Sequence, residues 1–258
     1  PPARQCPSGQ GADRCRHLDG LWSQQSVNAM SLSTLFAKRS GWEQAAVGYG
    51  RTAARAGWVE AESPDPAALA AIASVRLSGL SANSRDMQPG WAFAACAGER
   101  FHGLAFINEV LEQRPSVVLW EPIERYDPAP ALERCRSRGV PVLAVALLRK
   151  RLGRLAARVW GDPSRSGLRV YGVTGTDGKT SVSQFLAQAL DPIGGCGVIG
   201  TLGHGRVGQL EAQDHTTPDA PRVQQLLAGF LEAGLNSAAM EVSSHALSQN
   251  RVDGVRFH

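Results

Sequence analysis

The stretch "RVYGVTGTDGKTSVSQFLAQAL", residues 169–190, decides how the rest of the chain is read. It opens on an apolar run, passes through Gly172, Gly175 and Gly178, and continues into a segment with few helix breakers. The common phosphate-loop spelling asks for Gly, four residues, then Gly-Lys-Ser/Thr. Gly178-Lys179-Thr180 supplies the end of that pattern, but position 173 is Val173, and the earlier glycines stand at Gly172 and Gly175. The context answers the irregular spelling. A strand that runs through glycines into a helix presents unpaired backbone N–H groups and the positive end of the helix dipole, where an anion is favoured. Gly175 and Gly178 allow a tight turn and close approach to a phosphate. Lys179 can neutralise phosphate charge, and the Thr180 hydroxyl can meet Mg2+. The competing reading is a strand-turn-helix whose glycines serve only the turn.

Outward from this loop, strand and helix patterns alternate on both sides. Downstream, "CGVIGTLG" (196–203) and "NSAAMEVSS" (236–244) read as strands, and "VDGVRFH" (252–258) begins another. Between them, "DAPRVQQLLAGFLEAG" (219–234) offers Asp219 as N-cap, an apolar stripe of Val223, Leu226, Leu227, Phe230 and Leu231, and Gly234 as the stop. Upstream, "WAFAAC" (91–96), "SVVLWE" (116–121) and "VPVLAVA" (140–146) read as strands. "GLAFINEVLEQR" (103–114), "ALERCRSRG" (131–139) and "LLRKRLGRLAARVWG" (147–161) read as helices, with "DPSRSG" (162–167) as a linker. The expected fold is α/β, with parallel strands and right-handed crossovers in two units, residues 69–167 and 168–258. Residues 1–68 read as a lead-in with little periodicity, a natural start at Met30 and a helix entering near Ser63 or Asp65. A parallel sheet that stops at His258 leaves an open edge, so the second unit is expected to be incomplete.

Composition sets bounds. The 258 residues are 43% hydrophobic and 19% charged, which suits a globular protein. No apolar run reaches the roughly 18 residues of a membrane span, and no secretory signal opens the chain, so a cytoplasmic protein without membrane insertion is expected. The net charge of +4 comes from arginine without any dense basic run, so nucleic-acid binding is not expected. Lys38, Lys150 and Lys179 are the lysines, and one of them falls in the glycine loop, where Arg could not replace a compact ammonium. The five cysteines show no C-x-x-C spacing, and Cys96, Cys135 and Cys196 are expected as small buried groups.

The loop and three further segments resemble the Mur ligases, ATP-dependent amide-forming enzymes of peptidoglycan assembly. Their loop is typically Thr-Gly-Thr-Asn-Gly-Lys-Thr/Ser, and here Asp177 takes the Asn place. "HTTPD" (215–219) looks like their Asn-Thr-Thr-Pro segment, and "MEVSSHAL" (240–247) with "QNRVDGVRF" (249–257) looks like their Met-Glu-Val-Ser-Ser-His block. "NSRDMQPGWAFAACAGERFHG" (83–103) is similar to the N-terminal signature that holds a uridine nucleotide. Departures stand at Asn83, Trp91 and His102, where the family usually has Asp, and at His215, where it has Asn.

The resemblance implies a uridine-nucleotide-binding α/β domain followed by the first part of a parallel-sheet P-loop ATPase domain, with the C-terminal ligase domain absent. It implies ATP and Mg2+, with Gly175, Thr176, Asp177, Gly178, Lys179, Thr180 and Ser181 around ATP, and Thr180 and Glu241 at the metal. Lys179, Glu241 and His245 would be catalytic. Ala82, Ser84, Glu99, Arg100, Phe101, His215, Thr216, Thr217, Ser243, Gln249 and Arg251 would meet the substrate. Bland alternatives stand beside these. Thr216 and Thr217 could cap the helix before which they stand, Glu241 could be a strand-end charge, His245 could satisfy a backbone group, and Arg85 reads as structural.

The implied reaction adds a diamino acid to UDP-N-acetylmuramoyl-L-alanyl-D-glutamate through an acyl phosphate. An arginine-rich chain with few lysines points to GC-rich coding, and diaminopimelate is the commoner choice among such bacteria. On that ground meso-diaminopimelate is expected ahead of L-lysine; a monomer is expected. A folylpolyglutamate-synthase-like ligase and a non-catalytic nucleotide-binding module are the alternatives. The family's carbamylated lysine, Asp-His-Leu-Asp segment and C-terminal domain do not occur before His258. The 258 residues alone are therefore expected to be inert, and a phosphate-release assay that detected amide formation by them would overturn this.

Overall fold

The structure, a computed structural model, describes residues 29–36 and 66–258. The first unit contains β1 (Met30–Ser31), α1 (Leu32–Leu35), α2 (Pro66–Ala71), β2 (Arg76–Leu77), β3 (Leu80–Ser81) and β4 (Ala92–Ala95). It continues through α3 (Ile107–Glu112), β5 (Val117–Trp120), α4 (Ala129–Ser137), β6 (Val142–Ala144) and α5 (Leu148–Val159). Strands β3, β4, β5 and β6 form a parallel sheet in that order. Every residue of β4 is buried, as a parallel strand covered on both faces requires. Helix α3 covers the sheet through Ile107, Val110 and Leu111, a single helical stripe. The expected helix 103–114 is split, because a 3-10 turn at Gly103–Phe106 precedes α3.

The segment around Met30 departs from its reading as lead-in. Met30 and Ser31 pair antiparallel with Leu77 and Arg76. Leu32 and Leu35 are fully buried in the same core as β4 and β5, and Arg158 of α5 donates to the Leu35 carbonyl at 2.6 Å. Four helical residues have too short a pattern to show this; the partner strand supplies their burial.

The second unit contains β7 (Arg169–Val173), α6 (Lys179–Leu190), β8 (Cys196–Gly200), β9 (Gly203–Arg206), β10 (Gln209–Glu211), α7 (Ala220–Glu232), β11 (Ser237–Glu241) and α8 (Ser244–Ser248). Its sheet has the order β10-β9-β8-β11-β7, with β8, β11 and β7 parallel. The expected strand 196–203 stops at Gly200, and the chain turns back into the antiparallel hairpin β9–β10. Where a further strand was expected at the end of the chain, Phe257 forms a single parallel bridge to Val170.

Side chains alternate across this sheet with the period of two that a strand imposes. Ala238 and Met240 join the cluster under α7, whereas Ala239 joins the one under α6. In β8, Cys196 and Val198 face α6, while a Cβ at Gly197 would lie 2.5 Å from the Phe230 ring of α7. Helix α7 holds the two units together. Its Val223, Leu226, Leu227 and Phe230 bury in the second core, and its Ala220 and Ala228 bury in the first. Asp219 caps it through the Arg222 N–H, as the sequence suggests. Among the described residues, no helix is long and apolar enough to cross a membrane.

Two substitutions test this packing by denaturant unfolding. Leu32→Ala should lower stability by about 2–5 kcal/mol through the cavity it leaves. Gly197→Ala should cost about 1–3 kcal/mol by forcing Phe230 from its place.

Candidate functional site

Strand β7 ends at Val173, and the chain turns through Gly175 (φ 145°) and Gly178 (φ 76°) before α6 begins. Both angles belong to the region that favours glycine. The Lys179 ammonium donates to the carbonyls of Gly175 at 2.7 Å and Thr176 at 3.2 Å, folding over the loop it follows. The first N–H groups of α6 have no intrahelical acceptor. Gly172 has a different purpose. A Cβ there would lie 2.9 Å from the Phe257 ring, so this glycine makes room for packing. The side chains of Thr176, Asp177 and Ser181 are exposed around the turn.

Beside the loop, Glu241 ends β11 with only 1% of its surface exposed. Its Oε2 accepts from the hydroxyls of Thr180 at 3.0 Å and Thr201 at 3.1 Å, and its Oε1 accepts from the Thr201 N–H at 2.9 Å. A Cβ at Gly200 would collide with this carboxylate, so the glycine that ends β8 leaves the space it fills. Thr216 lies 3.1 Å from the Thr201 hydroxyl and can donate to it. Glu241 is thus neither a bare strand-end charge nor a solvated one. Thr201 was not singled out in the sequence; the only signal was a Gly-Thr pair at a strand end.

Thr217 corrects one expectation. Asp219, not Thr217, caps α7. The Thr217 hydroxyl donates to the Glu241 carbonyl at 2.9 Å and accepts from the Ser243 N–H at 3.2 Å, and the residue is 1% exposed. The side chain is therefore a clasp on the end of β11, already engaged on both sides. Ser243 is the N-cap of α8, its hydroxyl accepting from the Ala246 N–H.

Helix α8 ends in a left-handed Asn250 (φ 57°), with Asn250 N–H donating to Leu247 and Arg251 N–H donating to Ala246. This helix-terminating turn suits Asn and sends Arg251 back towards the sheet. Arg251 donates to the Thr217 carbonyl at 2.8 Å and through two nitrogens to Gln249 Oε1. The Gln249 amide nitrogen lies 2.8 Å from His245 Nε2, so His245 meets Gln249 and neither Glu241 nor a backbone group.

A cavity of about 730 Å3 separates the two units. Ala82, Gly98 and Phe101 line it from the first unit, and His215, Gln249 and Arg251 from the second. The loop residues Lys179 and Thr180 lie outside it. Phe101 is 67% exposed and meets Phe106 edge-on. Glu99 and Arg100 are exposed and do not line the cavity. Ser84 is also absent from the wall, and its hydroxyl donates to Glu109 at 3.0 Å. Cys135 and Cys196 are buried as expected, whereas Cys96 is half-buried at the cavity wall. Burial raises the Cys96 thiol far above its usual range.

The departures have local explanations. Asn83 caps the turn Ser84–Asp86 by accepting from the Arg85 N–H. His102 caps the turn at Gly103 with Nδ1 and so donates from Nε2 to the Glu121 carbonyl at 2.8 Å. Each supplies an acceptor that an Asp could also supply. Trp91 is buried against Trp160, ring centroids 5.4 Å apart.

A parallel sheet whose first strand runs through a glycine loop into a helix, with a buried carboxylate at the carboxyl end of the neighbouring strand, defines a phosphate-loop α/β protein. Residues 76–160 match the model described as Mur ligase family, catalytic domain, and residues 173–258 match the Mur ligase middle domain. The chain belongs to the Mur ligase family. Relatives named UDP-N-acetylmuramoyl-L-alanyl-D-glutamate–2,6-diaminopimelate ligase include one from Alkalilimnicola ehrlichii, 51% identical over 184 residues. Another, from Coxiella burnetii, is 42% identical over 189 residues. These alignments cover 70% and 73% of this chain but 37% of each relative, so the chain spans little more than a third of their length. A solved structure of a ligase with the same name is 26% identical, with a TM-score of 0.57, covering 72% of this chain and 36% of that one.

Thr217→Val keeps the volume but removes a buried donor and acceptor. Urea unfolding should show a loss of about 1–3 kcal/mol.

Proposed function

We propose that the chain forms the uridine-substrate and ATP-holding part of an ATP-dependent ligase that joins 2,6-diaminopimelate to UDP-N-acetylmuramoyl-L-alanyl-D-glutamate. The observation that carries this reading is the corner where Thr180, at the start of α6, meets the buried Glu241 carboxylate. The names of the relatives support the choice of substrate and amino acid. The α/β unit ahead of the loop supports this reading over a folylpolyglutamate-synthase-like ligase.

The donor set suits magnesium. Among the described residues, no cluster of three or more His, Cys, Asp or Glu side chains gathers to cage a metal. One carboxylate and one hydroxyl are what a hard cation needs from protein when phosphate and water complete its shell. Thr180 and Glu241 would hold it, and it would neutralise charge on the phosphoryl oxygens. The substrate's carboxylate is a poor electrophile until phosphorylated; the diamino acid's amine then displaces phosphate from the acyl carbon. This chain's share is alignment and charge neutralisation. Lys179 leaves the carbonyls of Gly175 and Thr176 for the β- and γ-phosphates. The α6 N–H groups donate hydrogen bonds to the oxygens of the same tail. His215, Gln249 and Arg251 orient the muramoyl peptide in the cavity.

Lys179→Ala should weaken MgATP binding to the chain at least tenfold in calorimetric titration, while UDP-N-acetylmuramoyl-dipeptide binding stays within about twofold. In a protein extended to the length of the relatives, the same change should abolish diaminopimelate-dependent phosphate release. Unchanged MgATP affinity would remove the basis of the reading.

A further inference from the structure

The cavity wall also carries a cation that no motif announced. Arg222 stands in the first turn of α7 and lines the cavity. Its NH1 donates to Gln225 Oε1 at 2.8 Å, and its NH2 lies 3.3 Å from His204 Nε2. Both supports are buried, Gln225 at 9% exposure and His204 at 3%. Among the described residues, no carboxylate forms an ion pair with this guanidinium.

The chemistry of His204 sharpens the point. Its Nε2 is also 3.3 Å from Glu211 Oε2, and one nitrogen cannot accept from Arg222 and donate to Glu211 at once. Burial, and then the charge of Arg222, lower the His204 pKa, against the pull of Glu211 and Gln213. Burial and Arg222 thus favour the neutral ring. Gln213 donates its amide nitrogen to the carbonyls of Gly200 and His215, which leaves its oxygen as the group it can offer the imidazole. In the tautomer that carries its proton on Nδ1, the Nε2 lone pair faces Arg222. A carboxylate in this place would neutralise the guanidinium. Neutral acceptors hold it in position. The Asp219 carboxylate on the same wall feels its charge but forms no ion pair with it, so the guanidinium keeps hydrogen-bonding capacity for a ligand.

We propose that Arg222 grips an oxyanion of the ligand that fills the cavity, with His204 and Gln225 as its positioning residues. This rests on the reading of the cavity as the UDP-N-acetylmuramoyl-peptide site. The oxyanion comes either from the diphosphate or from a peptide carboxylate, and both offer the paired oxygens that a guanidinium recognises.

The test is calorimetric titration of the 258-residue chain with uridine diphosphate, UDP-N-acetylmuramate, UDP-N-acetylmuramoyl-L-alanyl-D-glutamate and, separately, MgATP. Arg222→Gln should weaken the dipeptide ligand roughly tenfold or more, as loss of a charged hydrogen bond does, and leave MgATP affinity unchanged. Arg222→Lys should recover part of that loss. His204→Leu should reproduce it, and His204→Gln, which keeps an acceptor, should restore binding to within about threefold. A loss already present with uridine diphosphate assigns the diphosphate; a loss confined to the dipeptide ligand assigns its carboxylate. If the wild-type chain binds these ligands and both Arg222 variants bind them equally well, the proposal fails while the cavity reading stands. If the wild-type chain binds none of the uridine ligands, the cavity reading fails and the proposal falls with it.

Discussion

A carboxyl group that is 1% exposed is tolerable only where hydrogen bonds replace the water it has lost. Glu241 meets that condition with donors from two other segments. Thr180 comes from the first turn of α6, and Thr201 comes from the turn after β8. The three parallel strands of the second unit therefore have their carboxyl ends tied at one side chain. The geometry around the glycine loop follows from this knot, because α6 begins one residue before Thr180 and cannot shift without breaking it. Gly200 belongs to the same constraint, since any side chain there would displace the carboxylate.

The parts of the fold that could be read directly were those whose local pattern matched their final environment. β7, the loop and α6 combine an apolar strand, special glycines and a helix within one continuous stretch. Helix α7 has its cap, stripe and stop in the expected places. The hairpin β9–β10 was hidden because "GHGRVGQ" lacks the branched and aromatic side chains of ordinary strands. Gly203 and Gly205 take positive φ in β9, where carbonyls of Glu211 and Gln209 approach the backbone. Residues 30–35 were hidden for another reason: their core neighbours lie far along the chain, on β4, β5 and α5.

The site divides in the same way. Lys179, Thr180 and Glu241 were legible because each sits at a strand end or helix start, where topology concentrates ligand chemistry. Thr201, Gln213 and Arg222 were not, because their roles depend on strand order. Only after β8 is placed beside β11 does the Gly200–Thr201 turn reach Glu241. Only after β9 folds back does His204 reach α7. Thr217 shows the converse case, a residue singled out for a substrate whose hydroxyl is engaged in holding the backbone together.

The segment His215–Thr217 links the two halves of this chemistry. On one side, Thr216 meets Thr201 and Thr217 meets the Glu241 backbone, so the segment is fixed to the phosphate-loop corner. On the other, Arg251 grips the Thr217 carbonyl, and His215 with Arg251 borders the cavity. A phosphoryl group held at the loop and a carboxylate held in the cavity would thus be positioned by opposite sides of one short wall. Misplacement of about 1 Å is enough to slow a transfer that depends on alignment. A wall clasped on both faces by hydrogen bonds is the kind of support such alignment demands.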